Sequence, residues 1–422
     1  MLNIVTQKCC YAFVILSCCC AVPLTLQAAT QQQILSLNKA IERTLAQNPQ
    51  LHQFTFVRQS LLAKRETSAL KPGYRLGLDV ENFSGSGEMK GLDSAEVTLA
   101  LSSVLELGDK QASRISAIDA RVDIFDLTQQ AETLDVLGNL TSAFIISLTT
   151  QEQLNLSIEA VKLSEALLKK VRERATRGAA SDAEVMRARA MLTQSGIHRS
   201  NILKKLDRQK VEMAKYWGET RADFSSLRGD LFAFGQSQSF AALYEKVKRS
   251  PAIEVFASEI RLKDAEIRLA KSQDSGDLSW QFGVRRFENT ADNALTLGFS
   301  IPLFSQNRNR GGVRSALAER NVAEFKRASA LLNLHDQLFK AYSQHQQNIE
   351  TYQQLKTRVI PDLEKALAIT REAYDRGRLK YQDWIAAQQE LLSAKQQMIE
   401  SASTALLNQA VIEQLTAEPL TN

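Results

Sequence analysis

From Tyr74 the chain alternates: Tyr74, Leu76, Leu78 and Val80 are apolar, while Arg75, Gly77, Asp79 and Glu81 are not. A period of two puts the two sets on opposite faces of a strand. The pattern returns three times. Val97, Leu99 and Leu101 alternate with Glu96, Thr98, Ala100 and Ser102; Trp280, Phe282 and Val284 with Ser279, Gln281, Gly283 and Arg285; Leu295, Leu297, Phe299 and Ile301 with Ala294, Thr296, Gly298 and Ser300. Elsewhere the period is helical. Leu134, Leu137, Thr141, Phe144 and Leu148 keep the 3-4 spacing of a coiled-coil seam, and so do Leu338, Tyr342, His345, Ile349 and Tyr352. No proline falls between Pro72 and Pro251, and Gly138 is the only glycine between Asp109 and Arg177. A helix over that span runs about 100 Å, against an ordinary mean of about 11 to 12 residues. Pro361 predicts a kink or a short break in the corresponding helix of the second half.

The chain says everything twice, with a period near 200 residues. Asn48-Pro49-Gln50-Leu51 answers Ser250-Pro251-Ala252-Ile253, Thr98 to Ser102 answers Thr296 to Ser300, Ser116-Ala117-Ile118 answers Ser315-Ala316-Leu317, and Arg121 answers Arg320. Arg172-Glu173 with Arg177-Gly178 recurs as Arg371-Glu372 with Arg376-Gly377. So long a period means two similar halves of one architecture rather than a solenoid. The expected organisation is a first repeat over residues 30–215, with strands at about 74–82 and 96–104 and long helices at about 109–176 and 181–215. A linker or equatorial segment covers 216–239. The second repeat covers 240–415, with strands at about 278–287 and 294–303 and long helices at about 307–375 and 379–415, before a tail over 416–422. Each half should carry one short helix, two strands, and two long helices that reverse at the Arg-Gly turn.

One two-faced strand is most simply half of a soluble sheet. Four of them, each close to the 9 to 11 residues that cross a bilayer, set among helices too long to cover them, point to membrane strands. Four strands cannot close a barrel, because an open edge in lipid leaves backbone groups unpaired. Several copies must share one, and a homotrimer gives 12 strands over 12 helices. The fold class expected is therefore mainly α with a membrane β-barrel.

Composition adds the compartment. Lys8, an apolar run from Tyr11 to Leu26, Pro23, and small Ala28 and Ala29 make residues 1–29 an export signal. All five cysteines, Cys9, Cys10, Cys18, Cys19 and Cys20, lie inside it, so no disulfide is expected in the mature chain. Ile15-Leu16-Ser17-Cys18 also fits a lipoprotein site, which leaves two starts open: simple cleavage near Ala29 or Thr30, or lipidation of Cys18. Losing Lys8 takes the formal net charge from +5 to +4, too weak and too scattered for nucleic acid. No later apolar run reaches the length of a transmembrane helix.

Nearly the whole mature chain resembles the TolC-like outer membrane factors. Leu35-Ser36-Leu37-Asn38-Lys39-Ala40-Ile41 running into Asn48-Pro49, and Ser300-Ile301-Pro302-Leu303-Phe304 closing the fourth strand, carry the likeness. Leu105-Glu106-Leu107-Gly108-Asp109-Lys110 and Gly283 to Glu288 leading into Asp292 to Leu295 point to the CzcC-like branch of heavy-metal efflux. The resemblance implies an outer-membrane channel of a Gram-negative bacterium, with a helical domain reaching into the periplasm. It implies a periplasmic membrane-fusion adaptor and a proton-driven inner-membrane pump of the RND type as partners. Drug efflux or type I secretion is the alternative use of the same channel.

The two Arg-Gly turns reverse long helices and so form the far tip. Arg177, Gly178, Ala179, Ala180, Arg376, Gly377, Arg378 and Leu379 are the expected adaptor-docking surface. Six residues past each glycine stands an acid, Glu184 and Asp383, at the start of a returning helix, where the helix dipole alone would favour it. The resemblance implies that Asp383 contributes to a cation-attracting ring at the pore entrance, and that Tyr374 tethers adjacent helices through its hydroxyl. A second ring aspartate of the TolC pattern is missing, since Ala386 stands there. An enzyme is not expected, as there is no Gly-x-Ser-x-Gly, no phosphate loop and no His-Glu-x-x-His. Neither a cofactor nor a bound metal is expected, because His52, His198, His335 and His345 are scattered. A soluble periplasmic coiled-coil adaptor or scaffold is the remaining rival, and it does not account for four two-faced strands.

Overall fold

The computed structural model describes residues 33–235, 238–303 and 309–418. The export signal with Cys18, and Phe304 of the fourth-strand motif, lie outside them. In chain order the elements are β1 (Gln33–Ser36), α1 (Leu37–Gln47), α2 (Pro49–Ser68), β2 (Arg75–Glu81), β3 (Glu96–Leu105), α3 (Lys110–Ala175) and α4 (Asp182–Ala214). Then come β4 (Phe224–Arg228), α5 (Phe240–Val247), α6 (Pro251–Ser272), β5 (Leu278–Phe287), β6 (Asp292–Ser300), α7 (Arg310–Gln354), α8 (Ile360–Asp375) and α9 (Tyr381–Thr416). No described helix is long and apolar enough to cross a membrane.

Each half opens with two short helices where one was expected. The break falls on the repeated anchor: Asn48 Oδ1 accepts the Leu51 N–H at 3.0 Å and Pro49 takes the first helical position. Between α5 and α6 Pro251 again takes the helix start, but Ser250 before it makes no side-chain cap. Proline has no N–H to lose there, so the pair ends one helix and begins the next.

The four two-faced strands form one antiparallel sheet in the order β2-β3-β5-β6. β6 runs Asp292–Ser300 rather than 294–303, because Pro302 cannot donate to a ladder. The helices keep the same order beneath. α2 packs on α3, α3 on α6, and α6 on α7; farther from the sheet α4 packs on α3, α3 on α9, and α9 on α7 and α8. α3 spans both levels as one rod of 66 residues, about 100 Å long.

The seam positions behave as their spacing predicts: Thr141, Phe144, Leu148, Leu338, His345 and Tyr352 are buried, and Leu134, Leu137, Tyr342 and Ile349 half-buried. Around the waist, β1 pairs in parallel with β4 from the linker. Leu140, Phe144, Leu148, Trp217, Phe224 and Tyr352 share the core there. Where Pro361 predicts a kink or a short break, the α-helix is interrupted by one π turn over Leu355–Val359, with the Ile360 N–H bonded to the Leu355 carbonyl. One extra residue in the turn relieves the clash a proline ring makes with the carbonyl four residues back, and α8 continues the rod.

Candidate channel surfaces: a two-faced sheet and a helical tip

Strand register turns the alternation into rows across the sheet. Leu76, Leu101, Phe282 and Leu297 form one apolar row, and Leu78, Leu99, Val284 and Leu295 the next. Nearer the helices Trp280 pairs with Phe299, and Tyr74 meets Trp280 edge-on with ring centroids 6.2 Å apart. At the far end the row is Val80, Val97, Arg286 and Asn293, where polarity returns. Among the described residues nothing covers this face: Leu76 is 72% exposed, Leu295 73% and Leu297 67%. So large an uncovered apolar surface is unstable in water.

The opposite face is polar. From the helices outward its rows are Arg75, Ser102, Gln281 and Gly298; then Gly77, Ala100, Gly283 and Thr296; then Asp79, Thr98, Arg285 and Ala294; then Glu81, Glu96, Phe287 and Asp292. Among the described residues β2 and β6 each have one neighbour only, so both edges of the sheet are unpaired there.

At the far end of the helices the two turns have the same backbone. Gly178 and Gly377 both sit at φ 72°. In each, the glycine N–H bonds three residues back and the next N–H five back, Ala179 to Arg174 and Arg378 to Ala373, both at 2.9 Å. This closure requires a left-handed residue, which glycine adopts without strain. Arg177, Gly178, Ala179, Arg376, Gly377, Arg378 and Leu379 lie exposed around the two turns, and Ala180 is half-buried.

Side chains lock the two hairpins together. Tyr374 and Trp384 pack at 5.2 Å between ring centroids, in a core with Leu167, Leu168, Val171, Ala188 and Tyr381. The Arg174 guanidinium lies 4.4 Å above the Tyr374 ring, donates to the Tyr374 carbonyl, and reaches the Ala179 carbonyl at 3.2 Å. The hydroxyl tether expected of Tyr374 is not made within the described residues. Its oxygen is buried with no partner, and the ring does the joining. Burial pushes the Tyr374 phenol up, against the pull of Arg174; it pushes Tyr381 up as well.

Glu184 and Asp383, alike in sequence, are unlike in place. The Glu184 charge acts on both buried tyrosines, whereas Asp383 is exposed and accepts the Lys380 N–H at 2.8 Å, capping its own helix. Arg174, Tyr381 and Trp384 were missed from the sequence. Their signal is a lapse in the duplication: Arg174 stands opposite Ala373, Tyr381 opposite Asp182, and Trp384 opposite Val185. Among the described residues no group of three or more His, Cys, Asp or Glu is arranged to hold a metal ion. His345 donates from Nδ1 to the Ala405 carbonyl, 2.8 Å away, as a packed core residue.

Residues 242–418 match the family model of the outer membrane efflux protein. The cobalt-zinc-cadmium resistance protein CzcC of Cupriavidus metallidurans is 22% identical over 291 residues, which is 69% of this chain and 70% of that one. Among solved structures, the outer-membrane channel OprN superposes with a TM-score of 0.76 at 16% identity, covering 91% of this chain and 90% of that one. CusC gives 0.76 at 14% identity, with 91% and 92% covered. The fold is thus that of the TolC-like outer-membrane channels.

Proposed function

We propose that this chain, an outer membrane efflux protein by its match over residues 242–418 and a TolC-like channel by its fold, is the passive outer-membrane conduit of a three-part pump that exports heavy-metal cations. The observation that carries the reading is the sheet. Among the described residues its apolar face has no cover and its two edges have no partner, and lipid on the face and a second copy at each edge would satisfy both at once. Three copies make a closed barrel of 12 strands, with the polar face turned to a wide lumen; two copies would leave little room for solute.

The helices continue the barrel as a tunnel across the periplasm. In that arrangement the Arg-Gly turns are the surface offered to a membrane-fusion adaptor and an RND pump, which would supply the energy. The metal substrate rests on the likeness to CzcC and on the acidic residues of the polar face, which favour cations.

The test is a strain lacking this protein, challenged with zinc, cobalt, cadmium, nickel, copper and silver beside drugs and detergents. Heightened sensitivity to metals alone is the expected result. Sensitivity to organic compounds alone would keep the channel and remove the metal assignment.

A further inference from the structure

The polar face of the sheet is not uniform, and its charges gather in the two rows farthest from the helices. Asp79, Glu81, Glu96 and Asp292 stand there with a single cation, Arg285. That arginine reaches across three strands. From β5, its Nε donates to Thr98 Oγ1 at 2.9 Å and its Nη1 to Glu96 Oε2 at 2.8 Å, both on β3; its Nη2 donates to Glu81 Oε2 on β2 at 3.0 Å. Asn82 holds the other oxygen of Glu96 at 2.8 Å. The network is partly shielded, with the side chains of Arg285, Glu96 and Glu81 32%, 21% and 54% exposed.

We infer that Arg285 is the residue that sets charge selectivity at the outer mouth of the barrel, by offsetting one of the two charges of Glu81 and Glu96 and leaving Asp79 and Asp292 as carboxylates open to passing ions. The inference rests on the channel reading above, because only there does the polar face line a lumen. With four acids against one arginine, these two rows carry a net of three negative charges per copy, and nine in three copies. A ring so charged, walled by low-dielectric protein and lipid, concentrates cations and excludes anions. Each guanidinium subtracts from that field at its centre, and its planar fork holds Thr98, Glu96 and Glu81 through three separate nitrogens in a fixed geometry that a single ammonium nitrogen does not reproduce. The mouth is therefore moderately rather than strongly cation-selective. Cargo leaves it without being held by a full set of free carboxylates.

The experiment is reversal-potential measurement on the purified full chain in planar bilayers under a KCl gradient. Arg285→Gln is expected to raise the K+ over Cl− permeability ratio about twofold, and Glu81→Gln with Glu96→Gln to lower it. Arg285→Lys keeps the charge and loses the clamp, so it leaves the ratio near wild type while lowering the temperature at which the assembly dissociates. A purely structural clamp would do the reverse, with both arginine variants losing stability and neither moving the ratio. If Arg285→Gln conducts with an unchanged ratio, or fails to assemble while the double glutamine variant conducts with an unchanged ratio, the inference falls and the channel stands. Absence of conductance from the wild-type protein would instead remove the channel reading.

Discussion

Tyr374 packs its ring under Arg174 and against Trp384 while its hydroxyl lies buried without a partner. The ring and the hydroxyl therefore pull in opposite directions. Tyr374→Phe should hold or raise tip stability by up to about 1 kcal/mol, since it removes a desolvated group that bonds nothing. Tyr374→Ala should cost about 3–5 kcal/mol through the cavity. Hydrogen exchange over Leu167–Val171 reads both, and faster exchange in the Phe variant would show that the hydroxyl has a partner in the assembly. At the waist, Glu413 is a second residue with a cost built in: burial pushes its carboxyl above the ordinary range, against the Gln409 amide that donates to it at 2.8 Å. A raised value means that stability is full below the unfolded value and is lost as pH rises through the folded one. The melting temperature of Glu413→Gln should therefore draw ahead of wild type as pH climbs from about 4.5 toward neutrality. A gap that does not change with pH would contradict the buried, costly carboxylate.

The elements divide by how local their cause is. The strands were legible because a period of two with unlike faces depends on neighbours alone, and the long helices because nothing between Asp109 and Arg177 interrupts them except Gly138. Asn48-Pro49 and Ser250-Pro251 stood in plain view as repeat anchors, but their action as helix breaks depends on cap geometry that spacing does not give. The tip network was illegible for a further reason: Arg174 and Tyr374 are 200 residues apart and meet only because two hairpins pack side by side. Pro361 announces a disturbance without saying which of several backbone routes relieves it. The route taken makes a sharp prediction. A π turn is one residue inserted into an α-helix, so deleting Thr357 together with Pro361→Ala should restore an unbroken helix, with α8 keeping its face toward α9. Deleting Gln347 instead, with Pro361 kept so that the π turn stays in place, should turn α8 by about 100° and expose Ile360 and Leu367. Circular dichroism and thermal melting of the two deletions separate the cases, and equal damage from both would refute the insertion.

At the scale of the whole molecule, what matters is which face of the sheet meets which medium. Leu297 and Thr296 are adjacent in sequence and lie on opposite faces of β6. Arginine at 297 faces the apolar side and should cost about 2–4 kcal/mol of barrel stability if that side meets the middle of a bilayer. Arginine at 296 faces the polar side, next to Gly283, and should leave assembly standing while narrowing conductance. The heat-resistant oligomer band of each variant decides, and intact assembly with arginine at 297 would mean that lipid does not contact that row. The join between the two halves also fixes a timetable. β3 ends at Leu105 and its partner β5 begins at Leu278, so the middle seam of the sheet cannot form until more than half of the chain has been made and delivered. α3, whose ladder closes entirely on itself, has no such wait. A chain emerging N-terminus first thus has its rod before it has its sheet, and the apolar face of β2 and β3 must be kept from water in the interval. That places the demand for a chaperone on the first hairpin, and under the proposed channel function it makes membrane insertion the last step rather than the first.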